Sequence, residues 1–354
     1  MRKGVESRRK IRPAEIRSVN RMNQQIDFVI TWVDGQDEAW RKEKKRYLHD
    51  NKIDDSEVRY RDWGLLKYWF RGVEKFAPWV RKIHFITWGH LPEWLDTANP
   101  KLHIVRHEDY IPKKYLPVFN SNILEIYMNR IEGLSEHFVY FNDDMILVNS
   151  LKPSYFFEDG QPCDMLAFQP VVANPSNPVM SHLLLNNTLV LSKYFTKRDN
   201  VCRQPGNYFK IGYPPLYFFY NLLELAFPLY SGFYTVHGPM PFCKRTFDEV
   251  WEKEGEWLER MSSNRFRSED DLTPYLFREW QKLSGHFHPK NILRDFQYFN
   301  ISNDNSQLIR AIRKQKKSIL CINDADLEDG FENARRQLWE AFEQILPEKS
   351  AYEL

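Results

Sequence analysis

The chain has 354 residues, 42% hydrophobic, 15% aromatic and 28% charged, which is enough apolar surface for one large core or two modest ones and excludes a disordered chain. Its most apolar stretch, 217–234, is broken by Asn221, Glu224 and Pro228 and falls short of the ~20 residues a membrane span needs. Fifty Lys and Arg against 48 Asp and Glu leave a formal charge of +2, so no nucleic-acid partner is expected.

Residues 1–22 hold eight Arg or Lys against two Glu, a basic arm of +6 that leaves −4 on the remainder. Such an arm suits peripheral contact with anionic lipid or another polyanion, and equally a solvated tail. No apolar segment follows it, so it is not a secretory signal. Residues 26–33 (IDFVITWV) predict a buried strand that ends in the turn Asp34-Gly35. A helix over 65–76 is stopped by Pro78, and strands follow at 82–87 and 101–105. Residues 123–131 predict a helix, and 137–141 (HFVYF) a strand that delivers Asn142, Asp143 and Asp144 at its carboxyl end. Strands alternating with helices predict an α/β fold with a mostly parallel sheet. The segment 151–230, rich in Pro, Asn and aromatics, reads as a less regular insert. Residues 247–283 predict helix, 318–322 a last strand followed by Asn323-Asp324, and 330–345 an amphipathic helix. These boundaries give a basic arm (1–22), a catalytic domain (23–326) and a C-terminal helix and tail (327–354). Four cysteines (Cys163, Cys202, Cys243, Cys321) stand far apart without a CxxC pair, which fits reduced, buried thiols in a cytoplasmic protein.

The strongest local signal is Asn142-Asp143-Asp144 after a strand. Ligands of open α/β sheets bind outside the carboxyl ends of strands. Adjacent carboxylates there repel unless a cation neutralises them, and Mg²⁺ or Mn²⁺ bound by one or two carboxylates takes its remaining ligands from phosphate oxygens. The plain alternative is a turn or a helix cap. Asp34-Gly35 emerges on the same sheet edge, as a nucleotide contact or as a simple turn. His237, in a Pro-rich loop, suits a general base or a structural role. Arg267 offers a phosphate-matching fork beside Asp270 and Asp271, or an ion-paired helix start capped by Ser268. Arg61-Asp62 and Asn323-Asp324 carry the same two readings. No GxxxxGK[ST] or GxGxxG motif is present, which argues against a P-loop kinase and a dinucleotide dehydrogenase.

Together these segments resemble the Stealth family of sugar-phosphate transferases. Four ordered blocks carry the resemblance: IDFVITWVDGQDEAW at 26–40; RYRDWGLLKYWFRGVEKFAPWVRKIHFITWGHLPEWL at 59–95, continuing at 119–147; HGPMPFCKRTFDEVW with NRFRSEDDL within 237–272; and SILCINDAD at 318–326. The resemblance implies a Rossmann-like, nucleotide-sugar-transferase type of sheet with helical additions. It implies transfer of a sugar-1-phosphate from a UDP-sugar, typically a UDP-hexosamine, to a saccharide hydroxyl with release of UMP, assisted by a divalent metal, in capsular or surface polysaccharide synthesis. On this reading His237, Arg267, Asp271 and Asp62 are catalytic, Asp143 and Asp144 hold the metal, and Asp34, Gly35, Arg61, Asn142, Asn323 and Asp324 bind the donor. The chain departs from the family pattern at Leu65, where a Glu is frequent, at Trp63 in place of an Asn, and at Asn122 in place of a His. The implied setting is a bacterial cytoplasm, at the inner face of the membrane. Two rivals remain: a metal-dependent glycosyltransferase that releases UDP, and a non-catalytic polysaccharide-binding protein on the same fold.

Overall fold

The computed structural model describes residues 25–48, 61–175, 177–324 and 330–354. The basic arm at 1–22, and Arg59, Tyr60 and Asp326 of the motif blocks, lie outside the described residues. In chain order the strands are β1 (Ile26–Thr31), β2 (Ile83–Thr87), β3 (Leu102–Arg106), β4 (His137–Phe141), β5 (Met145–Leu147), β6 (Phe157–Glu158), β7 (Gln161–Asp164), β8 (Met240–Cys243), β9 (His288–Pro289), β10 (Phe296–Asn300) and β11 (Ile319–Asn323). The main helices are α1 (Glu38–Tyr47), α2 (Leu66–Phe76), α3 (Ser121–Ile126), α4 (Pro178–Tyr194), α5 (Pro215–Glu224), α6 (Lys244–Met261), α7 (Tyr275–Leu283), α8 (Ser306–Lys314) and α9 (Phe331–Ile345).

The principal sheet runs β3-β2-β1-β4-β8, with the first four strands parallel and β8 antiparallel at one edge. Strand β1 is buried on both faces, as expected of a run of β-branched and aromatic residues in a parallel sheet. Its alternation separates two cores. Phe28 and Ile30 join Trp69, Phe85 and Phe141 on one face, while Val29 joins Tyr140, Phe138 and Phe247 on the other. The order reverses between β1 and β4, so their carboxyl ends flank the crevice where such sheets bind ligands.

Chain direction turns sharply after β4. The Met145 N–H donates to the Asn142 carbonyl at 3.2 Å, and β5 then pairs antiparallel with β11 in a second sheet ordered β10-β11-β5. The three residues Asn142, Asp143 and Asp144 therefore form the corner at which the chain passes from one sheet to the other. Helix α2 packs across this corner. A Cβ on its Gly72 would stand 2.6 Å from the Leu147 carbonyl oxygen, so only glycine permits that approach. Helix α9 places Leu338, Ala341 and Phe342 in the same core as α2. The buried Arg71 of α2 donates to both carboxylate oxygens of Glu353, at 2.9 and 2.8 Å, and to the Leu346 carbonyl at 2.8 Å.

Three expectations are revised. The helix predicted over 123–131 is only α3, closed at Tyr127 and followed by a single 3-10 turn at Met128–Arg130. The helix predicted over 247–283 is two, α6 and α7, separated by a loop at 262–274 whose polar residues bond to the start of α3. Of the four thiols, Cys202 is exposed where burial was expected.

Candidate active site

Asp144 is the hub. Its Oδ2 accepts from His237 Nε2 at 3.0 Å and from the Cys321 thiol at 3.2 Å. Its Oδ1 is buried and has no hydrogen-bond partner among the described residues. The His237 Nδ1 faces the Tyr275 hydroxyl at 3.2 Å. Burial alone would lower the pKa of His237, but the hydrogen bond and charge of Asp144 outweigh it and raise it. Burial, then the charge of Asp144, pushes the Cys321 thiol far up, so it stays protonated and donates to the carboxylate.

Asp143 lies at the mouth of the corner. Crowding by surrounding protein, then the charges of Asp144 and Asp62, pushes its carboxyl up to about 7. Its surface is nonetheless open to solvent, so water or a cation can reach it and draw that value down. Asp62 accepts from the Gly64 N–H at 2.6 Å, and Arg61 stands 3.7 Å from Asp324. That ion pair joins the segment before α2 to the end of β11.

Strands β10 and β11 form a wall. In register, Tyr298 pairs with Cys321 and Asn300 with Asn323, so these four side chains share a face. Asn323 Nδ2 donates to Asn300 Oδ1 at 2.9 Å, as does the Tyr298 hydroxyl. The Tyr298 ring lies 6.3 Å from the His237 ring and is 41% exposed, open to a flat ligand.

The loop carrying Arg267 is held from beneath. Asp271 is fully buried, and its carboxylate accepts from Asn120 Nδ2 at 2.7 Å, Asn122 Nδ2 at 3.3 Å, Asn264 Nδ2 at 2.8 Å and the Ser268 N–H at 3.0 Å. Every part of it faces protein. Asp271 thus braces this loop from within the protein rather than facing the crevice. Arg267, which it positions, donates to Ser121 Oγ at 2.9 Å. Glu125, on the same α3, is buried and accepts from the Tyr140 hydroxyl at 2.9 Å. Burial raises its carboxyl to about 7 against the pull of that bond and of the nearby charges of Arg267 and His237. Asp34 sits on the same sheet edge, where its Oδ1 accepts from the Gln36 N–H at 2.8 Å and its own N–H donates to His90 Nε2 at 2.8 Å. Gly35 is buried in the same turn.

Residues 24–52 match Stealth protein CR1, conserved region 1, and residues 59–164 match Stealth protein CR2, conserved region 2. The capsular polysaccharide phosphotransferase WcwK of Streptococcus pneumoniae is 42% identical over 333 residues, covering 93% of this chain and 98% of that protein. The chain belongs to the Stealth family. The receptor polysaccharide phosphotransferase WefC of Streptococcus gordonii is 38% identical, covering 94% of this chain and 100% of that protein. The exopolysaccharide phosphotransferase cps2G of Lactiplantibacillus plantarum is 36% identical, covering 93% and 96%. This Stealth chain is an enzyme, a phosphotransferase.

The donor set of this Stealth enzyme fits a divalent cation. A buried carboxylate oxygen without a partner among the described residues, on Asp144, is costly unless a cation or donor meets it. Asp144, His237 and Cys321 also bring three ligand-type atoms within 4.8 Å of one another. Oxygen ligands suit Mg²⁺ or Mn²⁺, whereas a nitrogen and sulfur set would suit a softer ion.

Cys321, Tyr275, Tyr298 and Glu125 escaped sequence reasoning. Cys321 had a usable signal, because it lies two residues before Asn323 on one strand and so shares its face. Tyr275 and Glu125 had none, since helix packing alone brings them to the site. The family departures are buried too: Trp63 and Leu65 lie in the core, and Asn122 serves Asp271.

Proposed function

We propose that this enzyme transfers a sugar-1-phosphate, most simply hexosamine-1-phosphate, from a UDP-sugar to a saccharide hydroxyl and releases UMP, in the synthesis of a capsular or other surface polysaccharide. The observation that carries the proposal is the Asp143-Asp144 corner at the carboxyl end of β4, with His237 bonded to it and Arg267 on a rigid loop nearby. The acceptor oxygen attacks the sugar-linked phosphorus, the bond from that phosphorus to the bridging oxygen breaks, and the electron pair leaves with UMP. Asp144 fixes the His237 imidazole through Nε2, leaving Nδ1 as the basic atom that takes the acceptor proton, with Tyr275 beside it. Arg267 offsets charge on the transferring phosphate, and Tyr298 offers a stacking face for sugar or base. Mg²⁺ or Mn²⁺ on Asp143 and Asp144 would neutralise the diphosphate. Asn142, Asn323, Arg61 and Asp34, around the same edge, bind the nucleotide, and Asp62 shapes the field at Asp143.

A second reading of His237 rests on the 4.8 Å cluster: Nε2 serves as a cation ligand beside Asp144 rather than as part of the base. The setting we infer is the cytoplasm, consistent with four free thiols. No helix among the described residues is long and apolar enough to cross a membrane.

Nucleotide analysis tests the reaction. The protein is incubated with Mg²⁺, a panel of UDP-hexosamines and saccharide acceptors, and the nucleotides are separated. UMP together with a phosphate-bearing acceptor is the expected result. UDP would mean attack at the anomeric carbon and overturn the proposal.

A further inference from the structure

Helix α5 is inside out. Its two most polar side chains, Asn221 and Glu224, are buried, while Leu216, Phe219, Leu222 and Leu223 are each half exposed or more. Asn221 donates to the Leu166 and Tyr208 carbonyls at 3.1 and 2.7 Å and accepts from the Phe168 N–H at 2.7 Å. Glu224 accepts from Lys197 at 2.9 Å and from Ser231 at 2.7 Å, so its charge is spent inside the protein. The apolar face continues on both sides, through Ile211, 97% exposed, and Leu229, 73% exposed. A surface helix of a water-soluble domain turns its apolar stripe inward. Here the pattern is reversed and the polar contacts fix it that way, which leaves a contiguous apolar face of the kind that marks an interaction site.

Charge selects the occupant. Between Lys210 and Ser231 the single charged residue is Glu224, already buried and paired. Two cations directly follow residues that contact this segment. Lys210 follows Phe209, whose ring meets Phe218 at 5.1 Å, and Arg198 follows Lys197, whose ammonium holds the Leu229 carbonyl at 3.0 Å. Both are exposed, against one exposed carboxylate, Asp199. An apolar face with exposed cations next to its contact residues, on a ten-residue helix too short to span, matches the interface of a bilayer with anionic headgroups. The face also touches the site. The Tyr217 ring packs 4.1 Å from that of Tyr234, three residues before His237.

We propose that the α5 face is a docking surface for an anionic lipid bilayer, seating the enzyme so that its crevice meets an acceptor held at the membrane. The placement of the acceptor rests on the reaction proposed above; the docking itself does not. The test is cosedimentation of the full chain with phosphatidylcholine vesicles, with and without phosphatidylglycerol. Binding is expected to require phosphatidylglycerol, to weaken at least ~10-fold in F219E/L223E, because two apolar side chains leave the interface, and to lose most of its salt sensitivity in R198E/K210E. Circular dichroism confirms folding, and L216N/L229N supplies a second, milder pair. UMP release on a water-soluble acceptor is expected to be unchanged in these variants. Vesicle binding equal to the parent's in both apolar pairs would assign it to another part of the chain and overturn the proposal. So would a dimer that dissociates in F219E/L223E without any vesicle binding, since a second copy would then cover the face. Vesicle binding intact with no UMP formed would sink the reaction and leave the docking standing.

Discussion

His237 and Asp144 lie 93 residues apart in sequence and 3.0 Å apart in space, with the Asp144 carboxylate oriented by that imidazole on one oxygen and without a hydrogen-bond partner among the described residues on the other. One oxygen is thus committed to the protein, while the other is buried without such a partner among the described residues. On the proposed mechanism this joins the base and the cation to one side chain, so altering either residue would disturb the other.

His237→Gln is expected to lower kcat by ~10²–10⁴-fold while the donor KM stays near the parent value, the signature of a lost proton acceptor. Steady-state kinetics at several Mg²⁺ concentrations separates the two roles of His237. A kcat restored by excess Mg²⁺ would establish it as a ligand and remove it as the base.

Chelation should abolish turnover, and Mg²⁺ or Mn²⁺ should restore it. With Mg²⁺ and UDP-sugar at about 100 times the dissociation constant, linkage raises stability by ~2.7 kcal/mol, seen as a rise in Tm. That rise is expected to vanish in Asp143→Ala and Asp144→Ala. A full ligand-dependent rise in both variants would move the cation elsewhere.

Asp271 and Arg267 should separate structure from chemistry. Asp271→Ala strips acceptors from three amide side chains and a backbone N–H, and is expected to cost ~2–4 kcal/mol of unfolding free energy along with activity. Arg267→Ala leaves stability within ~0.5 kcal/mol yet lowers kcat on the order of 10²–10³-fold. Denaturant titration beside kinetics reads both, and equal stability losses would refute the division.

Glu125 predicts a pH effect of unusual sign. Its folded-state pKa of about 7 lies above the ordinary 4.5, so the native state binds the proton more tightly than the unfolded chain. Its contribution is therefore fully present below pH 4.5, declines as pH rises towards 7 and is gone above it, by roughly 3 kcal/mol. Glu125→Gln should flatten that part of the curve. Chemical denaturation of both proteins at pH 5 and pH 8 measures it, and parallel losses would show that Glu125 does not titrate in this window.

The parallel strands were legible because each is a short apolar run closed by a turn signal, and the corner 142–144 because Asn and Asp directly after a strand mark a turn at its carboxyl end. Asp144, His237, Arg61 and Asp324 were named from motif chemistry, and packing brings them into two contacting pairs. That Asp271 faces three asparagines from within the protein was not legible, because motif position carries no record of which way a carboxylate points. The helix through 262–274 was overextended for a related reason: helical periodicity persists on both sides of a loop whose shape is set by bonds to α3.

By itself, the sequence determined the alternation of elements, the chemistry at the sheet edge and the family, since these depend on residue type and order along the chain. Tertiary structure alone decided that Cys321 and Tyr275 brace the Asp144–His237 pair, that Asp271 carries the Arg267 loop from below, and that α5 turns its polar residues inward. Each depends on which side chain meets which across long stretches of chain, and local propensity and periodicity carry no record of that.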